Sequence, residues 1–136
     1  MCIRDRSGKY AALYRPVHMI GLELGISVAS AALRNEPTGA PTGFRSDVVA
    51  TAKRALKAGE ILDGEGGFCV WGKQMPADVS LDKGFLPLGL AHGVKLKRAI
   101  GEGEAIGWAD VDYDANDSAV KFRREMETAF ARRNAA

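Results

Sequence analysis

The residues best suited to chemistry in the N-terminal part of the chain are a histidine and a nearby glutamate. His18 stands five positions before Glu23 in an otherwise apolar stretch. A neutral imidazole beside a substrate hydroxyl can hydrogen-bond it or exchange a proton with it, and a carboxylate can serve as its partner. We therefore take His18 and Glu23 as candidate catalytic residues. The alternatives are that His18 packs among its apolar neighbours and that Glu23 stabilises the start of a helix.

A second set of candidates is basic. Lys-Arg pairs occur at Lys53-Arg54 and Lys97-Arg98, and His92 lies in a loop beside a glycine. Cationic side chains on one face can bind a sugar acid or a phosphate. We take Lys53, Arg54, His92, Lys97 and Arg98 as candidate substrate-binding residues. The competing interpretations are the solvated side of alternating strands for the Lys-Arg pairs and a hydrogen bond from loop to core for His92.

Two patterns that imitate metal or disulfide sites are set aside. The series Asp110-x-Asp112-x-Asp114 is not a calcium loop, because Ala115 replaces the required glycine and Lys121 the bidentate glutamate. The two cysteines, Cys2 and Cys69, lack zinc-ligand spacing and cannot support a disulfide framework. We expect no metal site, a buried Cys69 and a reducing, cytoplasmic location.

Length and charge narrow the class of protein. The 136 residues suffice for one domain, and the apolar share of 46% excludes wholesale disorder. Residues 47–112 hold 8 Lys and Arg against 10 Asp and Glu, whereas the rest holds 11 against 7. A nucleic-acid-binding protein usually concentrates basic residues on its folded part, and the apolar run 17–33 is shorter than a membrane span. We expect neither a nucleic-acid partner nor a membrane partner.

The elements that must position these residues are organised around a repeat. Residues 53–62, KRALKAGEIL, recur 44 positions later as KRAIGEGEAI. Each copy predicts a strand carrying Lys-Arg, a turn at Gly59 or Gly103, and the start of another strand, since glycine reaches positive φ without a Cβ penalty. Two copies are too few for a solenoid. We predict a mainly β domain with flanking helices and a pseudo-twofold internal repeat.

Local signals divide the rest of the chain. Strands are predicted at 47–54, 68–73 and 94–98, with a turn or single helical turn at 76–83. Residues 24–33 have helical spacing, and Asn116 or Asp117 can cap a last helix whose apolar side comprises Phe122, Met126 and Phe130. The predicted divisions are an unrelated leader (1–9), a helical segment (10–36), a linker (37–46), the β domain (47–113) and a C-terminal amphipathic helix (114–136).

Three segments of the β region together resemble the SAF domain. They are residues 48–60, 86–93 (LPLGLAHG) and 97–111. That family adopts the β-clip fold and is shared by sialic acid synthases, type III antifreeze proteins and flagellar or pilus assembly chaperones. The resemblance covers about half the chain and implies a β-clip fold for this region.

The flank resembles the end of the catalytic part of homoserine dehydrogenase-like NAD(P)-dependent oxidoreductases that carry a C-terminal SAF domain. The matching residues are 14–23 (YRPVHMIGLE), 26–29 and 37–41. The resemblance places His18 at the end of that catalytic domain and implies NAD or NADP as the coenzyme of the parent enzyme. The fingerprint of a Rossmann domain, Gly-x-Gly-x-x-Gly, is not found. Gly101 and Gly103 have the right spacing, but the interval from Gly103 to Gly107 is one residue too long.

The resemblance therefore implies an accessory C-terminal piece of such an oxidoreductase. It would hold no cofactor, would not catalyse the reaction alone, and would have the missing N-terminal Rossmann and catalytic domain as its partner. Assembly of the chain into a homo-oligomer is an open alternative. The alternative is a stand-alone SAF module that binds a carbohydrate or serves as an assembly factor or chaperone.

Overall fold

The chain divides into two compact units, Met1–Thr42 and Gly43–Ala136. The computed structural model describes residues 2–4, 11–14, 16–39 and 43–134. The division falls within the predicted linker, 37–46, of which residues 40–42 lie outside the described residues. Most of the predicted leader, 1–9, also lies outside them, apart from its strand at residues 2–4.

The first unit contains a short hairpin and a helix. β1 (Cys2–Arg4) pairs antiparallel with β2 (Ala11–Leu13), so the hairpin crosses the boundary predicted after residue 9. α1 (Ile20–Ala29) continues as a π-helical turn, Ser30–Arg34. It stops at Asn35, whose φ of 56° is a left-handed conformation that asparagine tolerates better than most residues. Throughout the described part of the chain, every helix is too short or too polar to cross a membrane.

The second unit is built on two antiparallel sheets, and it confirms the predicted fold class. β3 (Ser46–Ala52) pairs along its whole length with β5 (Val70–Pro76). β4 (Ile61–Asp63), β6 (His92–Leu96) and β7 (Val111–Asp112) form the other sheet, with β6 in the middle. The β-branched residues Val48, Val49 and Thr51 favour the strand at β3.

One local prediction in this unit was wrong. The Lys-Arg pairs do not lie within strands, since β3 ends at Ala52 and β6 at Leu96 and both pairs occupy the bends that follow. The segment 76–83, predicted as a turn or a single helical turn, is a helix of seven residues, α2 (Ala77–Lys83), and is therefore longer than predicted. Gly84 ends α2 with a φ of 64°, the left-handed C-terminal signal that glycine supplies.

The two repeats pair with each other about a local pseudo-twofold relation. Leu56 and Ile100, which occupy equivalent positions, each donate a backbone N–H to the other's carbonyl at 2.9 and 3.0 Å. The turn glycines have φ values of 84° at Gly59 and 76° at Gly103, as the sequence predicts. The internal repeat is therefore confirmed as a structural pairing of like segments.

The core of the second unit also follows the repeat. Leu62 and Ile106 are equivalent in sequence, and both are fully buried. The other large buried side chains come from both sheets and the loops between them: Val49, Val70, Leu86, Leu96, Ile100 and Val111. Burying each such side chain contributes roughly 1.5–3 kcal/mol. Cys69 lies in this core and is buried, as predicted.

The last helix, α3 (Ser118–Asn134), packs on the rest of the second unit with part of its predicted apolar side, since Met126 is half-buried and the Phe130 ring lies 6.1 Å from the Phe44 ring, centroid to centroid. Asp117 caps it by accepting the backbone N–H groups of Ala119 and Val120 at 2.8 and 3.2 Å. Phe122 is 72% exposed, so the predicted apolar side was wrong at its first position. Val120 is buried instead, and the polar side chain of Arg123 faces the domain.

A buried ion network fastens α3 to β3. Arg123 donates to both carboxylate oxygens of Asp47 at 3.1 and 2.6 Å, and to Glu127 at 2.7 Å. Its guanidinium lies 5.0 Å from the ring centroid of Phe44. Ser80 of α2 donates to Asp47 at 2.7 Å. Burial alone would raise the pKa of Asp47, but the hydrogen bonds from Arg123 and Ser80 outweigh it and lower the pKa.

Candidate functional site

The two predicted catalytic residues meet at the start of α1. His18 Nδ1 lies 3.3 Å from Glu23 Oε2, and Glu23 Oε1 accepts the backbone N–H of Met19 at 3.3 Å. Glu23 therefore contacts the imidazole and caps the helix at the same time. The side chain of His18 is 72% exposed, so its ring is accessible to a substrate hydroxyl. The catalytic roles of this pair stay predictions.

The arginine of each repeat is held by the glutamate of the same repeat. Arg54 donates to Glu60, and Arg98 donates to Glu104 at 2.7 Å. The second carboxylate oxygen of each glutamate accepts, at 2.9 Å, the backbone N–H three positions before it. Hydrogen bonds from the arginine, and then from the turn N–H, lower the pKa of both glutamates. We call each arginine–glutamate pair, together with the turn N–H that the glutamate accepts, an arginine clamp. The two arginine clamps fix the turns that contain Gly59 and Gly103.

The second repeat adds a further acid to its clamp. Arg98 Nε donates to Asp110 Oδ1 at 2.6 Å and its Nη2 to Oδ2 at 3.1 Å, a bidentate pair. Asp110 and then Glu104 raise the pKa of Arg98. Asp110 also accepts the N–H of Gly107 at 2.8 Å. The donors of Arg98 are thus directed at acids of its own domain.

The remaining predicted substrate-binding residues occupy separate local networks. Lys53 donates to the carbonyl of Gly67, and Lys97 Nζ lies 3.5 Å from Asp112 Oδ1. His92 Nδ1 lies 3.1 Å from the carbonyl oxygen of Asp63, which matches the structural alternative considered for it. The structure places Lys97, of the five predicted residues, in a pocket. Substrate binding by any of the five stays a prediction.

That pocket is formed by the end of α2, the bend after β6, the short helix Trp108–Asp110 and α3. It has a volume of about 420 Å³ and is lined by Lys83, Gly84, Lys97, Trp108, Ala109, Tyr113 and Arg124. The guanidinium of Arg124 lies 4.8 Å from the Trp108 ring centroid. The Tyr113 ring meets the Trp108 ring edge-on with centroids 4.9 Å apart. Three cations and two aromatic rings therefore share one concave surface, which we call the cationic pocket.

Sequence reasoning missed most of the cationic pocket. Lys83, Trp108 and Arg124 come from three elements that are distant in the chain, and no short motif joins them. The signal that was available is the position of Trp108 directly after the second repeat. Among the described residues, no group of three His, Cys, Asp or Glu side chains is placed to hold a metal ion.

Comparison with known proteins concerns the β region. Residues 47–112 match the family model of the SAF domain, and this range runs from β3 to β7. The match does not extend to residues 14–41, on which the oxidoreductase resemblance depends. No match was found among curated proteins. The mainly β architecture and the paired repeats agree with the family match, and the chain therefore carries a SAF domain over residues 47–112.

Proposed function

We propose that this chain is the accessory C-terminal part of a homoserine dehydrogenase-like NAD(P)-dependent oxidoreductase. In this proposal residues 10–36 belong to the catalytic part and residues 47–112 are its SAF domain. The parent enzyme transfers hydride between NAD or NADP and a hydroxylated small molecule. The chain described here does not do so alone.

The observation that carries the proposal is the character of α1. Its apolar side chains recur at every second position, so they face more than one side of the helix: Ile20, Leu22, Leu24, Ile26 and Val28, each between 59% and 74% exposed. A helix that is apolar on all sides is typical of the interior of a larger protein. In this proposal the missing catalytic domain covers α1.

The glycines of the second repeat support the placing of the coenzyme outside this chain. A dinucleotide fingerprint needs glycine N–H groups at the start of a helix, where they bind the pyrophosphate. Gly103 instead donates its N–H to the carbonyl of Ala52 at 2.9 Å. In this proposal the Rossmann domain of the parent enzyme holds NAD(P). The oxidised coenzyme is the hydride acceptor.

His18 and Glu23 are the residues of this chain that we assign to the chemistry of the parent. The contact of 3.3 Å between them orients the imidazole, and the exposed ring can hydrogen-bond a substrate hydroxyl and take its proton. The proposed location is the cytoplasm. A free thiol at Cys69 suits a reducing compartment.

The test is to express the coding sequence together with the region upstream of it and to compare the product with the chain of 136 residues. We expect the longer product to oxidise homoserine or a related hydroxylated substrate with NAD+ or NADP+, and the shorter chain to show no turnover. His18→Ala should lower kcat of the longer product by roughly 100-fold, whereas Lys73→Ala, at an exposed position of β5, should not. Turnover by the shorter chain would overturn the accessory role.

A stand-alone SAF module that binds a carbohydrate or serves in assembly is the second candidate. The observation in its favour is that the repeats complete each other's hydrogen bonds, as at Leu56 and Ile100, which makes residues 43–136 a self-contained unit. Hydrogen exchange separates the two candidates. Amides of α1 become protected in the longer product if α1 is an interior helix, and stay unprotected if the SAF module acts alone.

A further inference from the structure

The cationic pocket has the composition of an anion site. Its lining includes the ammonium groups of Lys83 and Lys97 and the guanidinium of Arg124, and no acidic side chain. Among the described residues, Lys83 has neither an ion pair nor a side-chain hydrogen bond. Three cationic side chains with no acidic side chain among the lining residues make this concave surface suited to an anion.

We propose that the cationic pocket binds a small organic anion through its carboxylate or phosphate group. Lys83 supplies the principal charge, Lys97 and Arg124 add to it, and the rings of Trp108 and Tyr113 contact the body of the ligand. The volume of about 420 Å³ lies within the range of small-molecule sites. This inference does not depend on which parent enzyme the chain belongs to.

The acids near the pocket do not cancel its charge. Asp112 reaches Lys97 only at 3.5 Å, and both side chains are about half exposed, so this pair is weak. Glu127 accepts from Arg124 at 2.7 Å, but it also accepts from the buried Arg123 and is shared between the two. A ligand oxyanion therefore gains cationic partners without breaking a strong ion pair.

The pocket is also preorganised. Arg124 is held on both sides, since its guanidinium stacks over Trp108 and donates to Glu127. Trp108 is fixed in turn by its backbone N–H, which donates to the carbonyl of Gly84 at 2.9 Å. Groups that are already ordered lose less conformational entropy when a ligand binds.

The two tryptophans give a direct test, because Trp71 serves as an internal reference for Trp108. We would record the two indole N–H resonances of the ¹⁵N-labelled full chain during titration at constant ionic strength. The probes are glucose 6-phosphate, gluconate, inorganic phosphate and uncharged glucose. We expect a saturable shift of the Trp108 resonance with glucose 6-phosphate or gluconate, and none with glucose; the stronger of the two probes identifies the preferred oxyanion.

Matched lysine variants separate a specific site from general charge attraction. Lys83→Gln should weaken binding by about tenfold, since a hydrogen bond to a charged group is lost. Lys73→Gln removes the same charge from β5, outside the pocket lining, and should change the affinity by less than about twofold. Equal weakening by both variants, or no saturable shift of Trp108 with any anionic probe, would overturn the proposal. Unchanged far-UV circular dichroism would show that both variants are folded.

Discussion

Leu56 and Ile100 exchange backbone hydrogen bonds, each donating to the other's carbonyl, although 44 residues separate them. They are the same position of the two repeats, so the pair lies at the centre of the local pseudo-twofold relation. The flanking bonds obey the same relation, since Gly59 donates to Leu96 at 2.7 Å and Gly103 donates to Ala52 at 2.9 Å. Each repeat thus supplies backbone partners for the other, in addition to the bonds within its own turn, which explains why the motif occurs twice.

The turn glycines should be sensitive to substitution in both repeats. Gly59→Ala and Gly103→Ala each place a side chain at positive φ, which costs about 1–2 kcal/mol for an L-residue. No bulky obstacle faces either position, so the cost is that of the backbone conformation. We expect a fall of that size in the free energy of unfolding, measured with urea. Gly89→Ala is the control, because Gly89 has open space and no positive φ; an equal fall there would contradict the explanation.

The arginine clamps should contribute unequally although they are equivalent in the repeat. Within the described part of the chain, Arg54 pairs with one acid, Glu60, whereas Arg98 pairs with Glu104 and bidentately with Asp110. Arg98→Gln should therefore lower the urea midpoint more than Arg54→Gln. Added salt should narrow the gap, because both guanidinium groups are about half exposed. Equal midpoints for the two variants would show that Asp110 adds nothing.

The parts of the fold that the sequence predicted are those set by local chemistry. The turns at Gly59 and Gly103 follow from the conformational freedom of glycine, and the cap at Asp117 from its side-chain acceptor. The Lys-Arg pairs are predicted within strands because the first ends a run rich in Val and Thr and the second ends a run that alternates apolar and basic residues. Such sequence patterns do not show where the pairing of two strands ends. β3 ends at Ala52 because the chain turns there to pair with the other repeat.

The parts that the sequence did not predict depend on distant contacts. The orientation of α3 is set in part by Arg123 and Asp47, which are 76 residues apart, so the exposure of Phe122 does not follow from the apolar spacing. The side of α3 that contacts β3 carries the charged residue Arg123, and a search for apolar residues at helical spacing does not find such a side. The cationic pocket was missed for the same reason, since Lys83 and Arg124 meet only in the folded unit.

The thiol of Cys69 should be unreactive in the folded chain. Burial raises its pKa, and only 5% of the residue is exposed, so little thiolate is available to a reagent. In a Cys2→Ser chain we expect Ellman's reagent to react at pH 8 at least about 100-fold more slowly without urea than in 8 M urea, because reaction requires opening of the core. Rapid reaction without urea would contradict this expectation, because it would mean that the core residues around Cys69 open readily in the folded chain.

The carboxylate of Asp47 should stabilise the fold at neutral pH and lose that effect in acid. Its folded-state pKa lies below the usual value of 3.8, so its contribution is present above that value and disappears as the pH falls through the folded-state pKa. Asp47→Asn leaves Arg123 without its buried partner, which should cost about 2–3 kcal/mol at pH 7.

The difference in unfolding free energy between the natural chain and Asp47→Asn should therefore shrink as the pH is lowered from about 5 through the folded-state pKa of Asp47, because protonation leaves both chains with a neutral group at position 47. Urea unfolding followed by circular dichroism at each pH measures it. Asp82→Asn is the matched control, because Asp82 is exposed in the last turn of α2. It should stay within about 0.5 kcal/mol of the natural chain at pH 7. A difference for Asp47→Asn that persists undiminished in acid would show that packing at this position, and not the charge held by Arg123, fastens α3 to the SAF domain.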